Sequence, residues 1–171
     1  MRRARKHQRP LHAGNKLDTI DRRGAHADWS GIRVVVGTGE TTLGGKTIAG
    51  LLETALDAGF EVRIWYVGLR SVRHHLDRVA ARVQRGGHDI PQDAIRRRFD
   101  DSRRNLVRLL PRLAELKVFD NTAEASPVEG HPPRPVLVLH WRAGQIIAPA
   151  DLHGTPNWAK PIVAKALALQ P

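Results

Sequence analysis

The chain has 171 residues, of which 41% are hydrophobic and 26% charged, and it contains no cysteine. A domain of this length buries about 70% of its unfolded surface, so its core needs no disulfide. Without cysteine it has neither a thiol nucleophile nor a Cys-based zinc site. No apolar run approaches the roughly 18 residues of a membrane span, and no signal-peptide pattern follows the basic start. We therefore expect a soluble, cytoplasmic protein with no membrane contact.

The charge is strongly basic, because 28 Lys and Arg residues outnumber 17 Asp and Glu residues and give a net charge of +11. Such an excess indicates a phosphate-bearing partner, either a nucleic acid or a nucleotide. Residues 1–30 carry eight basic and three acidic residues without apolar periodicity, which is typical of a disordered arm. A second basic cluster runs from Arg70 to Arg112. The predicted organisation is a disordered segment, residues 1–30, followed by a folded portion, residues 31–171.

Predicted strands and helices alternate in the first half of the folded portion. A strand at Ile32–Gly37 is followed by a helix that begins at Thr47, and a second strand covers Glu61–Leu69. This order predicts a right-handed parallel βαβ unit. Two helices come next, one capped by Ser71 and ending at Gly86-Gly87, and one beginning after Pro91.

A further helix is predicted from Ser102 to about Leu116, and Pro111 lies within it as a potential kink. The remaining elements are a short strand at KVFDN, a Pro-rich loop over 121–134, a hairpin around Arg142-Ala143-Gly144, and a last helix from Pro156 capped by Thr155. We expect Trp65 and Trp141 in the core and Trp158 packed against the sheet. The predicted class is α/β with a mainly parallel sheet and flanking helices.

The segment VVVGTGETTLGGKTIAGLL has the order of a nucleotide phosphate loop: strand, Gly-rich loop and helix, with Gly-Lys-Thr in the loop. A Walker A motif has a glycine five residues before the glycine of Gly-Lys-Thr, here Gly45, but that position is Glu40. A carboxylate there would repel the phosphates. The pattern favours an ordinary strand-to-helix turn or a substrate loop over a phosphate loop.

The ordered series ETTLGGKT, AGFEVRIWYVGL, RVAARVQRGGHDIPQDAIRRRFDDSRRNL and VFDN resembles the zeta-toxin-like P-loop kinases, over about Glu40 to Asn121. The resemblance implies a P-loop-kinase-like core that uses ATP and Mg²⁺. Characterised toxins of this family phosphorylate a UDP-activated amino sugar of cell-wall synthesis. The implied partners are therefore a small-molecule acceptor with a reactive hydroxyl group and an antitoxin protein.

The resemblance also implies roles for individual residues. Glu40 contacts the acceptor, and Thr42 and Lys46 are further substrate-binding residues. Arginines around the Gly-Gly turn form a lid over the ATP phosphates, where guanidinium groups stabilise the transferred phosphoryl. The predicted catalytic residues are Glu40, Arg82, Arg97 and Arg98. The predicted cofactor-binding residues are Arg85, His88, Asp120 and Asn121, and no metal-ligating residue is predicted.

Each of these residues also fits a purely structural role. The four predicted lid arginines, Arg82, Arg85, Arg97 and Arg98, are also compatible with a solvent-exposed helix face, because arginine is a good helix former. His88 suits a turn cap, and Asp120-Asn121 suits a turn pair as well as a base contact at a strand end. His74 and His75 point about 100° apart on a helix, so they do not share a metal easily.

Residues 1–39 contain no G-x-x-x-x-G-K-[ST] motif, although the family has its Walker A well upstream. The chain thus resembles the carboxyl-terminal two-thirds of a kinase, N-terminally incomplete, and we expect no phosphoryl transfer by it alone. The alternative hypothesis is a non-enzymatic protein that binds nucleic acid non-specifically through residues 1–30 and the Arg70–Arg112 face. That alternative calls for aromatic residues among the charges, and only 5% of the chain is aromatic.

Overall fold

The computed structural model describes residues 33–35, as backbone only, together with 43–123 and 134–171. The predicted arm of residues 1–30 lies outside the described residues, as do Glu40 and Thr42. In chain order the elements are β1 (Arg33–Val35), α1 (Lys46–Asp57), β2 (Arg63–Gly68), α2 (Val72–Val83), α3 (Gln92–Leu109), β3 (Glu115–Asp120), β4 (Val136–Arg142), β5 (Gln145–Ala148) and α4 (Lys160–Leu167). No helix within these ranges is long and apolar enough to cross a membrane.

The five strands form one mixed sheet in the order β1-β2-β3-β4-β5. Only β2 and β3 are parallel, whereas the other three neighbouring pairs are antiparallel. The α/β class is confirmed, but the prediction of a mainly parallel sheet is wrong. The parallel βαβ unit is also wrong, because β1 pairs with β2 in the antiparallel direction.

A tight turn explains the antiparallel direction of the β4–β5 pair. Ala143 and Gly144 both have positive φ values, 49° and 82°, and a two-residue turn of this kind forces its flanking strands to run antiparallel. The predicted hairpin between β4 and β5 is therefore confirmed. At the other edge, β1 has only three residues, and such a short strand gains a few hydrogen bonds in either direction.

The hydrophobic core lies on one face of the sheet, under α1, α3 and α4. Alternate residues of β2 and β3 point into it, and their side chains are 0 to 4% exposed: Ile64, Tyr66, Leu116 and Val118. The helices contribute apolar side chains at helical spacing, among them Leu52, Leu106, Leu109, Ile162 and Ala166. This cluster accounts for the two-layer architecture.

The helix after β2 begins as predicted, since the Ser71 hydroxyl oxygen accepts a hydrogen bond from the backbone N–H of His74 at 3.4 Å. The two predicted helices that follow are in fact the single helix α3. Ser102 does not cap a new helix, because its hydroxyl donates back to the carbonyl of Phe99 at 3.2 Å. Pro111 lies in a short 3-10 turn after α3 rather than at a kink.

The last helix begins at Lys160, four residues after the predicted start at Pro156. The Thr155 hydroxyl donates to the Leu152 carbonyl at 2.6 Å instead of capping the helix. Trp158 is buried as predicted, and its ring lies so close to Gly68 that an added Cβ there would be 2.3 Å from it.

The two other tryptophans among the described residues differ in position. Trp141 is 3% exposed and belongs to the core as predicted. Trp65 is 43% exposed, so its predicted core position is wrong. Successive strand residues face opposite sides, and Trp65 lies on the side of β2 opposite Ile64 and Tyr66, away from the packed helices.

Candidate functional site

The carboxyl ends of β2 and β3 lie side by side, because these two strands are parallel and Gly68 pairs with Asp120. Two hydrogen bonds hold the segments that leave them: the N–H of Asn121 donates to the Gly68 carbonyl at 2.9 Å, and the N–H of Arg70 donates to the Thr122 hydroxyl at 2.9 Å. The carboxyl edge of parallel strands is where open α/β sheets bind ligands. We therefore treat this edge as the candidate site.

The carboxylate of Asp120 is engaged by the protein itself. One oxygen accepts from the backbone N–H of Thr122 at 2.7 Å and from the Thr122 hydroxyl, and the other accepts from the indole N–H of Trp158 at 3.3 Å. This pattern ties the strand end to Trp158 and forms an Asx-type turn. Of the two predicted roles for Asp120, the geometry favours the turn.

Asn121 has a different environment. Asn121 is 1% exposed, and neither its Oδ1 nor its Nδ2 has a hydrogen-bond partner among the residues that the structure describes. Its backbone carbonyl is held by the Arg78 guanidinium, which donates to it at 2.5 Å. A buried polar group without a partner costs about 1–3 kcal/mol, and such groups are nearly always satisfied in native proteins. The Asn121 amide is thus a group at this edge that a further hydrogen-bonding partner would stabilise.

The predicted lid residues at the end of α2 stabilise the turn that follows the helix. The Arg82 guanidinium donates to the His88 carbonyl at 3.0 Å, and its side chain packs so tightly on Gly87 that an added Cβ there would be 2.6 Å from Cγ. The Arg85 Nε–H donates to the Ala81 carbonyl at 3.1 Å. The structure brings Arg82 and His88 together through the His88 backbone, and the His88 side chain is exposed.

The α3 arginines approach the start of α1 at one point. An added Cβ on Gly44 would lie 2.8 Å from Arg98 Cβ, so the backbone before α1 is packed directly on α3. Lys46, the first residue of α1, is exposed nearby. Arg97 instead forms an exposed ion pair with Asp93 at 3.6 Å. The predicted residue Arg98 therefore packs against Gly44, two residues before the predicted residue Lys46, and Glu40 and Thr42 lie outside the described residues.

Much of the basic cluster is neutralised by neighbouring acids. Six arginines form ion pairs: Arg73–Asp77, Arg97–Asp93, Arg103–Asp100, Arg104–Asp101, Arg108–Glu53 and Arg112–Asp57. Among the described residues, Arg70, Arg96 and Arg98 form no ion pair. Positive and negative side chains therefore alternate over the Arg70–Arg112 cluster. This mixture of charges weakens the predicted role of the cluster as a broad nucleic-acid-binding surface.

Two titratable groups lie between the helices and the sheet. Burial raises the pKa of Tyr66 to about 12, although its hydrogen bond to Ser102 and the Arg103 charge act in the opposite direction. Burial also lowers the pKa of His75 to about 4, and the charges of Arg78, Arg103 and His74 add to this effect. Both groups are uncharged at neutral pH: Tyr66 stabilises the packing of β2 on α3, His75 stabilises the packing of α2 on α3, and neither supplies charge to a ligand.

A cavity of about 440 Å³ adjoins Asp120, between the ends of β3 and β4 and the 149–156 segment. Its polar lining includes Thr122, Asp151 and Thr155, and the rest is largely apolar. In the ranges that the structure describes, no group of three His, Cys, Asp or Glu side chains is arranged to hold a metal ion.

Arg78 is the contact residue that the sequence did not single out. It holds the Asn121 carbonyl and also donates to the Ala123 carbonyl at 3.4 Å. The available signal was its position four residues before Arg82, on the same face of a helix. That spacing places it one turn closer to the strand ends than the predicted lid arginine.

Comparisons with known proteins give one sequence match without a described activity. Over 60 residues the chain is 40% identical to an uncharacterized protein of Haemophilus influenzae, and the match covers 35% of this chain and 43% of that protein. The chain thus spans less than half the length of this relative. No family model matches the chain, and no solved structure shows significant similarity to it.

Proposed function

We propose that the chain has the acceptor side and the arginine-bearing helices of a zeta-toxin-like kinase core, and that it binds a phosphorylated small molecule of the nucleotide-sugar type. The site is the carboxyl edge of β2 and β3, extended by α3 toward the start of α1. The observation that carries the proposal is the buried Asn121 amide, whose two polar atoms have no partner in the described part of the chain. Both atoms are closed off from solvent and Asn121 does not line the adjacent cavity, so a ligand with both a donor and an acceptor, such as a nucleobase edge or an acetamido group, would satisfy them once the covering segment moves aside.

The charged residues of α3 and of the start of α1 match the ligand's phosphates. Arg98 forms no ion pair among the described residues and lies against Gly44, two residues before Lys46. Guanidinium groups bind phosphate oxygens through paired hydrogen bonds, and an ammonium group adds a compact positive charge. In this proposal Arg98 and Lys46 bind the phosphates, and Glu40 contacts the acceptor hydroxyl as the resemblance implies. An antitoxin partner rests on the resemblance alone.

Phosphoryl transfer is not part of this proposal. The 171 residues contain no Walker A motif, and Glu40 stands where its first glycine would be. The backbone cradle of a phosphate loop supplies much of the recognition of a nucleotide triphosphate. We therefore expect no saturable binding of ATP–Mg²⁺ at micromolar concentrations, even though the chain binds the acceptor.

Isothermal titration calorimetry with UDP-N-acetylglucosamine tests the proposal. We expect saturable binding to the full chain and a loss of about tenfold or more in affinity for Arg98→Gln. Arg104→Gln is the matched control, because it removes the same charge from the same helix at an exposed position paired with Asp101. Equal losses for the two variants, or tight binding of ATP–Mg²⁺ instead of the sugar nucleotide, would contradict the proposal.

A further inference from the structure

The sheet face opposite the core carries an exposed tryptophan among cations. Trp65 on β2 pairs with Lys117 on β3, and the Lys117 ammonium lies 5.3 Å from the centroid of the indole ring. Arg63 precedes Trp65 on the same side of β2, and Arg142 lies on that side of β4, two strands away. We name these four residues, Arg63, Trp65, Lys117 and Arg142, the Trp65 face.

The described helices pack mainly on the other side of the sheet, and on the Trp65 side of β2 Arg63 and Trp65 are exposed whereas Val67 is 7% exposed. α1, α3 and α4 pack on the opposite side, against Ile64, Tyr66, Leu116 and Val118. α2 packs on α3, where His75 meets the edge of Phe99 at 5.3 Å between ring centroids. The indole of Trp65 is accordingly 43% exposed, and the Arg63 side chain is 55% exposed. The exposed indole and the cations beside it combine an aromatic ring with positive charge on one side of the sheet.

The Trp65 face is positively charged. Three of its four residues are cations. The neighbouring acid on this side of the sheet is Glu115, whose carboxylate contacts His140 at 2.6 Å and Lys117 at 3.7 Å. Burial acts to raise the pKa of Glu115, but these contacts and the charge of Arg142 hold it below its usual value. Arg63 also contacts Glu61 at 3.0 Å, and both side chains are exposed. Exposed pairs of this kind are weak and exchange readily for another anion.

We propose that the Trp65 face binds single-stranded nucleic acid: a base displaces the Lys117 ammonium from the Trp65 ring and stacks there, and Lys117 and Arg142 hold the phosphates. Aromatic stacking on an open sheet combined with flanking cations is how sequence-tolerant single-strand binding is achieved. Paired bases are already stacked on each other, so a duplex cannot use the indole in this way. The surface lies on the opposite side of the sheet from the packed helices, and the inference does not depend on the proposed function.

Fluorescence anisotropy with a labelled oligothymidylate tests this inference on the full chain. We expect Trp65→Ala to weaken binding about tenfold, and Trp65→Phe to retain most of the affinity because a smaller ring still stacks. Phe60→Ala is the matched control, since Phe60 is 67% exposed but lies outside the strands. Lys117→Gln is expected to reduce the dependence of affinity on salt, in line with one lost phosphate contact.

Three outcomes would overturn the inference. Binding of a duplex as tightly as the single strand would show that stacking is not used. An affinity of Trp65→Ala equal to that of the wild type would show that any binding comes from basic residues elsewhere, such as those of residues 1–30. Equal losses for Phe60→Ala and Trp65→Ala would show that an exposed aromatic anywhere is sufficient. Circular dichroism of each variant confirms that the fold is retained.

Discussion

Buried polar groups that lack partners are costly, and within the described residues Asn121 has two of them in one side chain. Asn121→Ala removes both groups and leaves only a small cavity. We expect its free energy of unfolding to be unchanged or raised by about 1 kcal/mol, while UDP-N-acetylglucosamine binding is lost. Urea denaturation measures the first quantity and calorimetry the second. A destabilisation of more than about 2 kcal/mol would instead assign Asn121 a structural role.

Tyr66 is the one tyrosine of the chain, so the absorbance of tyrosinate reports on it alone. We expect the native protein to ionise with a pKa of about 12, and the urea-unfolded protein near 10. Because the pKa of Tyr66 is higher in the folded protein than in the unfolded protein, burial of the neutral phenol contributes to the free energy of unfolding. This contribution is complete below pH about 10 and is lost as the pH rises through about 12. A native midpoint near 10 would contradict the buried position of the phenol.

His75 makes the opposite contribution at acidic pH. The pKa of His75 in the folded protein is about 4, below the ordinary value of about 6.5. The contribution of the neutral ring to the free energy of unfolding is therefore complete above pH about 6.5 and is lost as the pH falls through about 4. The size is on the order of 2 to 3 kcal/mol. His75→Phe keeps an aromatic ring beside Phe99 and cannot titrate. Urea denaturation at several pH values should therefore show a shallower acid slope for the variant, and identical slopes would refute the assignment.

At the scale of elements, the backbone at Gly44, two residues before α1, packs directly against α3 at Arg98. Gly44→Ala would place a Cβ 2.8 Å from Arg98 Cβ, and we expect a destabilisation of about 1–3 kcal/mol. Gly50→Ala is the control within α1, because nothing lies within 4 Å of its added Cβ. That change should stabilise the helix by about 0.5–1 kcal/mol. Thermal denaturation compares the two, and shifts of the same sign would argue against the close contact.

Local signals in the sequence were sufficient for most of the elements. Ser71 marks the start of α2, and the Ala143-Gly144 pair marks the hairpin. Strand direction was not predictable, because the pairing of a three-residue strand depends on contacts remote in sequence. The run that contains Trp65 is apolar almost throughout, so its pattern did not show which side the helices leave open. The continuity of α3 was readable in principle, since Asp100 and Asp101 stand three residues before Arg103 and Arg104.

The candidate site was predicted only in part. Asp120-Asn121 was placed correctly at a strand end, but burial of one side chain and internal pairing of the other are tertiary properties. The charge of the α2 and α3 helices was overestimated as a ligand surface, because six arginines form ion pairs with acids. Glu40 and Thr42 lie outside the described residues, so their predicted contacts with the acceptor stay predictions.

At the scale of the whole molecule, the two faces of the sheet have separate chemistry. The core side leads to a strand edge with an orphaned amide and arginine neighbours, and the other side presents Trp65 among cations. A net charge of +11 draws phosphate-bearing ligands toward both. The two proposals are separable, because Asn121→Ala is expected to affect only the first and Trp65→Ala only the second.

The central claim is that a ligand satisfies the Asn121 amide, and side-chain amide resonances in a ¹⁵N-correlated NMR spectrum test it most directly. Asn121→Ala identifies the resonance pair of this residue by its disappearance. On titration with UDP-N-acetylglucosamine, we predict that this pair shifts and becomes protected from exchange, whereas the pair of Asn105, which already donates to the Leu43 carbonyl at 2.8 Å, changes little. An Asn121 pair that stays unchanged at saturating ligand would contradict the account.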